Sequence, residues 1–254
     1  MSEIQDQKIA FFSSSGMVKE KEKKVKTMGS SSISGGKIDK FFKSSGSAKI
    51  DGNLECNGFK SLGSSRGNGS IISHGPIKSS GAFRIEGGIK SDENVKFSGS
   101  ANIGEDTELH GKFKAFGSFK TGGSLKTGSN LVIFGATTIG SDIISQGDVK
   151  IKGAANVSGN IYAENISLGR KRWWNIFGIR HGRDRPYKVS RTILGNDKVA
   201  IRGTVVNEDV KGRRVRIQKY SRIEGQVYYI DSIKVHRKAK LNNEPMQIDE
   251  KTIE

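Results

Sequence analysis

Histidine and cysteine are few in this 254-residue sequence, and their spacing keeps them apart. The histidines are His74, His110, His181 and His236. Histidine is the commonest general base and zinc ligand, but none of these stands at metal-ligand spacing from a cysteine, another histidine or a carboxylate. Each reads as solvated surface. The one cysteine, Cys56, can form no intrachain disulfide, which fits a reducing compartment. It reads as a buried packing residue rather than a nucleophile. Glu105, Asp106 and Glu108 read as a solvated turn. GSLKTGSN (Gly123–Asn130) and GATTIGSD (Gly135–Asp142) have the glycine spacing of a phosphate-binding loop, but both lack its lysine. No catalytic, cofactor-binding or metal-binding residue is assigned, and the chain is expected not to be an enzyme.

Those glycines belong to a repeat. Gly63, Gly81, Gly99, Gly117, Gly135 and Gly153 follow one another at 18-residue steps, and Gly169 follows after 16. Cutting the chain at these glycines gives seven aligned rows over residues 47–169. Six columns of the array hold apolar or small residues, at row positions 2, 4, 8, 10, 14 and 16. Position 14, for example, holds Phe59, Ile77, Val95, Phe113, Leu131, Val149 and Ile166. Within each pair the spacing is two, the strand period, and the pairs recur every six residues. Three short strands and three corners make one triangular winding, and the windings stack. Glycine near positions 6, 12 and 18 suits the corners, where backbone turning often needs positive φ. The fold class expected is all-β, a triangular parallel β-helix of 18 residues per winding.

The columns resume near the C-terminus. Val199 and Ile201 fit positions 14 and 16, and Val206, Val210, Val215 and Ile217 repeat the spacing of the seventh row. Ile223, Val227, Tyr229, Ile233 and Val235 follow in phase, then Ala239 and Leu241. The organisation expected is a disordered basic tail over 1–46, a β-helix of seven windings over 47–169 and a basic aromatic insertion or linker over 170–197. A second short β-helical stack over 198–243 and a C-terminal tail over 244–254 complete it. The segment 170–192 is either an insertion within one stack or a joint between two.

Rows such as DVKIKGAANVSGNIYAENISLG and VRIQKYSRIEGQVYYIDSIKVHRKAKL resemble the bactofilins, the polymer-forming cytoskeletal proteins. The resemblance covers about residues 47–169 and 198–242. It implies a right-handed winding and nucleotide-free, end-to-end assembly into non-polar filaments in prokaryotic cytoplasm, often at a membrane. The main rival for an 18-residue winding is the hexapeptide-repeat acyltransferase. That reading fits poorly, because positions 8 and 10 reverse the small-then-aliphatic order and no histidine has partners around it in sequence.

The formal net charge is +17, and residues 170–203 carry 10 basic against two acidic side chains. Within them Arg170, Lys171, Arg172 and Arg180 flank Trp173, Trp174, Ile176, Phe177 and Ile179. Tryptophan favours the membrane interface and basic residues favour anionic headgroups, so one reading is an interfacial anchor. The other is an aromatic plug that caps the solenoid. Nucleic acid or an acidic protein is the weaker alternative partner. In the N-terminal tail, KIDKFF is an apolar island whose Phe41 and Phe42 would either touch membrane weakly or cap the first winding. Position 17 should face outward at a corner, yet holds Leu62, Phe116 and Phe134; these form either an exposed apolar stripe or rings folded over the corner. Together with Phe41, Phe42 and Leu241 they are the candidate assembly contacts, because an uncapped solenoid end offers open strand edges.

The function expected is a structural scaffold that self-assembles into filaments. The alternative is a β-solenoid adaptor that binds membrane or protein without polymerising. The partners expected are other copies of the chain and an anionic membrane surface, with no cofactor and no small-molecule substrate. The sequence opens without a basic segment leading into a long apolar run, and no stretch approaches 18 apolar residues. The expected location is the cytoplasm, at the inner face of the membrane.

Overall fold

A computed structural model describes residues 12–169 and 187–250. The chain forms two compact units, residues 1–123 and 124–254, and each is a β-solenoid. In the first, the strands Lys24–Ile33, Phe41–Ile50, Phe59–Gly67, Ile77–Ile85, Val95–Ile103 and Phe113–Thr121 stack in parallel, unshifted register. A second ladder of three-residue strands runs beside it, from Gly36–Ile38 to Thr107–Leu109.

Each long strand covers two faces of the winding. Its burial alternates, breaks over three outward residues, then alternates again, as in Phe113–Thr121. The break is the position-18 corner. Gly99 and Gly117 have φ of +116° and +119° there. A Cβ on Gly117 would also run into the Gly99 carbonyl oxygen of the winding before it. Glycine is required at this corner on both counts. At positions 6 and 12 the expected positive φ is mostly absent. Glycines such as Gly69 and Gly111 serve close backbone approach instead, since a Cβ there would meet the preceding winding at Gly52 and at Glu93.

All six inward columns are buried through the seven rows. In the first unit, phenylalanines meet along the axis, within one column for Phe42 and Phe59 and between columns for the other pairs. Phe42 and Phe59 have ring centroids 5.5 Å apart, Phe83 and Phe97 5.1 Å, and Phe113 and Phe119 4.8 Å. Large rings on one face fill the space left where another face supplies Ser61, Ser65 or Ala101. Burying each ring is worth about 1.5–3 kcal/mol. The hydroxyls of Ser61 and Ser65 satisfy each other across the core.

The tail expected over 1–46 is corrected: windings begin at Lys24 rather than at Ser47. Val25, Ile33, Ile38 and Phe42 are buried in the same columns, and Gly29 and Gly46 take the corner with positive φ. The columns were hidden because polar Thr27, Ser31 and Ser44 fill inward places, all buried. Phe12–Ser14 and Val18–Lys21 then fold back antiparallel on Lys24–Ile33.

In the second unit the ladder runs from Leu131–Ile139 and Val149–Val157 into Ile161–Leu168, and on to Ile193–Ile201, Val210–Ile217 and Val227–Val235. The expected linker over 170–197 is therefore shorter. Tyr187, Val189 and Ile193 are buried winding residues, and Tyr187–Val189 pairs with Val149–Val157. Residues 198–243 continue the ladder of residues 131–168 rather than starting a second stack. From Ile161 onward alternate windings lose one residue at the position-12 corner, between Ile161 and Ile166 and again between Val210 and Val215, whereas Ile193–Val199 and Val227–Ile233 keep the full step. Strands there run straight through that corner with a register shift, as between Ala163 and Asn165. A corner shortened this way reads as a bulge rather than a break.

Candidate functional site

The ends of a solenoid matter because each winding is covered only by its neighbours. At the N-terminal end, Phe12–Ser14 pairs with Ser31–Ile33, and Val18–Lys21 pairs with Lys24–Thr27. This antiparallel arm closes the edges of two faces of the first winding. On the third face, Gly36–Ile38 pairs with Leu54–Cys56 alone among the described strands.

The C-terminal end is built differently. Val227–Val235 pairs inward along its length with Val210–Ile217, but outward, among the described residues, only at Tyr228 and Tyr229, with Met246–Gln247. The Ile248 N–H donates to the Tyr229 carbonyl at 2.9 Å, and the Gln247 amide to the Ile230 carbonyl at 2.8 Å. Arg213 pairs with Asp231 at 2.8 Å and reaches Glu250 beside it. Beyond that clamp, Ser232–Val235 and Lys240–Leu241 have no outward strand among the described residues. The inward columns surface here. Ile233, Ala239 and Leu241 are half-buried and Val235 is 43% exposed, whereas Ile217 and Ile223 one winding earlier are buried. The end thus presents apolar side chains ringed by free strand edge, the chemistry that accepts another β-edge.

The candidate assembly contacts scatter. Leu241 lies on this open end. Phe42 does not lie at an end: it is fully buried between windings, and the assembly role expected for it is withdrawn. Phe41 is half-buried with its ring against Gly58, and the Lys24 ammonium is 5.6 Å from its centroid. Leu62 and Phe116 are exposed by 37% and 41%, and Phe134 is half-buried. The position-17 column of the first unit is interrupted, because Ser80 and Ser98 stand between Leu62 and Phe116. Lysines cover the rings, Lys96 over Phe116 at 5.6 Å and Lys152 over Phe134 at 5.3 Å. Arg170, Lys171, Arg172, Trp173, Trp174, Ile176, Phe177, Ile179 and Arg180 lie outside the described residues.

Two arrangements escape a reading of neighbours in sequence. The first corrects the solitary reading of the histidines. The His74 Nδ1 is 2.7 Å from Asp92 and its Nε2 3.2 Å from Glu55, while His110 comes within 3.6 Å of Asp92. These partners are one winding away, 18 or 19 residues along the chain. The hydrogen bonds to Asp92 and then Glu55 raise the His74 pKa above its ordinary value, and the bond from His74 first, then Lys37, lowers that of Glu55. Among the described residues no three His, Cys, Asp or Glu groups are placed to hold a metal. Cys56 is buried and its thiol pKa is pushed up by that burial. The second arrangement is outward: Lys26, Lys43, Lys60, Lys78, Lys96 and Lys114 fall in one register column. Applying the row alignment to position 15 as well as to the inward positions would have revealed it.

Among the described residues no helix is long and apolar enough to cross a membrane. Comparison of the chain with protein-family models, curated proteins and solved structures gives no significant match.

Proposed function

We propose that this protein is a non-catalytic structural scaffold that self-associates end to end through its C-terminal winding, without nucleotide, as the bactofilins it resembles do. The β-solenoid architecture is consistent with a scaffold role. The observation that carries the proposal is the asymmetry of the ends. The inward columns stay covered from Val25 onward until the last winding, where Ile233, Val235 and Leu241 meet solvent beside an open strand edge. A second copy presenting the same end would cover them in a self-complementary contact. Growth from a pair into a filament then requires the arm of residues 12–21 to leave the first winding. Membrane attachment is assigned in this proposal to the segment Arg170–Arg180, from its composition.

The same arm favours a second reading, a non-polymerising adaptor, because an antiparallel cap stops parallel stacking. Negative-stain electron microscopy of the purified full chain, without nucleotide and across salt and protein concentration, separates the two. Filaments are expected. Discrete particles that never lengthen would favour the adaptor, and single 27.6 kDa particles under all conditions would overturn end-to-end association.

A further inference from the structure

The six long strands of the first unit contain no Asp or Glu, although residues 47–169 as a whole are nearly balanced in charge. Unit-wide charge conceals a sorting by face. The acids sit on the short-strand face and at the corners, as Glu55, Asp92 and Glu105 do. Along the long strands every charged outward side chain is cationic. Lys26, Lys43, Lys60, Lys78, Lys96 and Lys114 pair in register one above another. At about 4.8 Å per winding they form a line about 24 Å long. Among the described residues none of the six has a carboxylate within ion-pair distance. Across the glycine corner, Lys49, Arg66, Arg84 and Lys120 add a second cationic column, interrupted at Asn102 and with Lys49 paired to Asp51.

Like charges directly opposed on neighbouring strands are destabilising. Burial and then the flanking Lys26 and Lys60 pull the Lys43 ammonium below its ordinary pKa. Folding alone does not call for such a column; a ligand carrying many negative charges does. Beside it, on the position-17 ridge of the same strands, Met28, Leu62 and Phe116 are exposed by about two-fifths each.

We propose that the lysine-column face of the first unit docks on an anionic lipid surface, with Met28, Leu62 and Phe116 entering the interface. Lysine ammoniums are compact charges suited to a field of headgroups, and juxtaposed apolar side chains add burial that a soluble polyanion does not supply. A single-stranded nucleic acid would be met by a row of aromatic platforms. The position-15 column contains no aromatic residue. This contact is distinct from any made by Arg170–Arg180 and does not depend on self-association.

The test is flotation of the full chain with vesicles of phosphatidylcholine, with and without phosphatidylglycerol. Five proteins are compared: the natural chain, Lys60→Gln/Lys78→Gln/Lys96→Gln, the same three positions changed to Arg, and Trp173→Ser/Trp174→Ser with and without the glutamine changes. Binding only to the phosphatidylglycerol vesicles is expected. The glutamine variant should lose about 100-fold in affinity, in both tryptophan backgrounds, since each surface cation contributes about a factor of five. The arginine variant should keep it. Circular dichroism should show the glutamine variant folded and melting no lower than the natural chain, because repulsion is relieved. Equal vesicle binding by the natural and glutamine proteins would overturn the proposal. So would column-dependent binding to single-stranded RNA without vesicle binding.

Discussion

Two serines in the same core column should respond oppositely to the same substitution. Ser61 and Ser79 occupy position 16 of successive windings, and both are buried. The Ser61 hydroxyl shares a 2.5 Å hydrogen bond with the Ser65 hydroxyl. Ser79 is 3% exposed, and its hydroxyl has no hydrogen-bond partner among the described residues. Ser79→Ala removes a desolvated, unpaired group and loses only a small volume. An unpaired buried hydroxyl costs about 1–3 kcal/mol, so the variant should gain about 1 kcal/mol after the lost packing is subtracted. Ser61→Ala instead strands the Ser65 hydroxyl, 2% exposed, and should lose about 1–2 kcal/mol. The two variants should therefore differ by about 2 kcal/mol or more, well above the scatter of paired measurements. Urea unfolding followed by circular dichroism reads the difference, provided the m-values agree. If Ser79→Ala destabilises as much as Ser61→Ala, the core's polar accounting is wrong.

Gly99→Ala should cost about 2 kcal/mol or more in the same assay, because the corner needs positive φ and an added methyl meets the Gly81 carbonyl. The His74 cluster should give a shallow pH optimum. Its raised pKa contributes stability that is complete below the unfolded histidine value, about 6.5, and lost as pH rises through the folded value. Glu55, with a lowered pKa, contributes above its unfolded value of about 4.3 and loses that as pH falls through the folded one. Melting of the natural protein minus His74→Gln should thus be most favourable at about pH 5–6. Because the groups are partly exposed, the difference should be about 0.2–1 kcal/mol; a flat difference from about pH 5 to 9 would contradict the pairing. Deleting residues 1–21 should uncover the edge of Lys24–Ile33 and lengthen assemblies in light scattering, and an unchanged particle size would show that the arm is no cap.

The winding was legible because its rules are periodic. Column membership placed Phe59, Ile77 and Val95 in one buried line, and the structure has them paired in that register. Where the alphabet of the columns changed, the pattern faded. Thr27, Ser31 and Ser44 fill inward places in the first windings, so composition suggested a tail where strands lie. Tyr187 and Ile193 could have been found by stepping back 12 and 6 residues from Val199, but the preceding basic aromatic run masked them. Contacts between windings were the least visible. His74 meets Glu55 and Asp92 only because a winding brings residues about 18 apart side by side. The open end depends on where covering strands stop, which no column states. Ile233 and Val235 follow the same spacing as Val215 and Ile217 yet reach solvent.

The most direct test of end-to-end association is sedimentation velocity of the full chain against Ile233→Asp/Val235→Asp over a range of concentrations. Both positions lie on the uncovered face of the last winding, so the changes should leave the fold intact. Concentration-dependent association is expected of the natural protein, and a 27.6 kDa species of the variant. Identical association by both proteins, or a natural protein that stays monomeric throughout, would contradict this expectation.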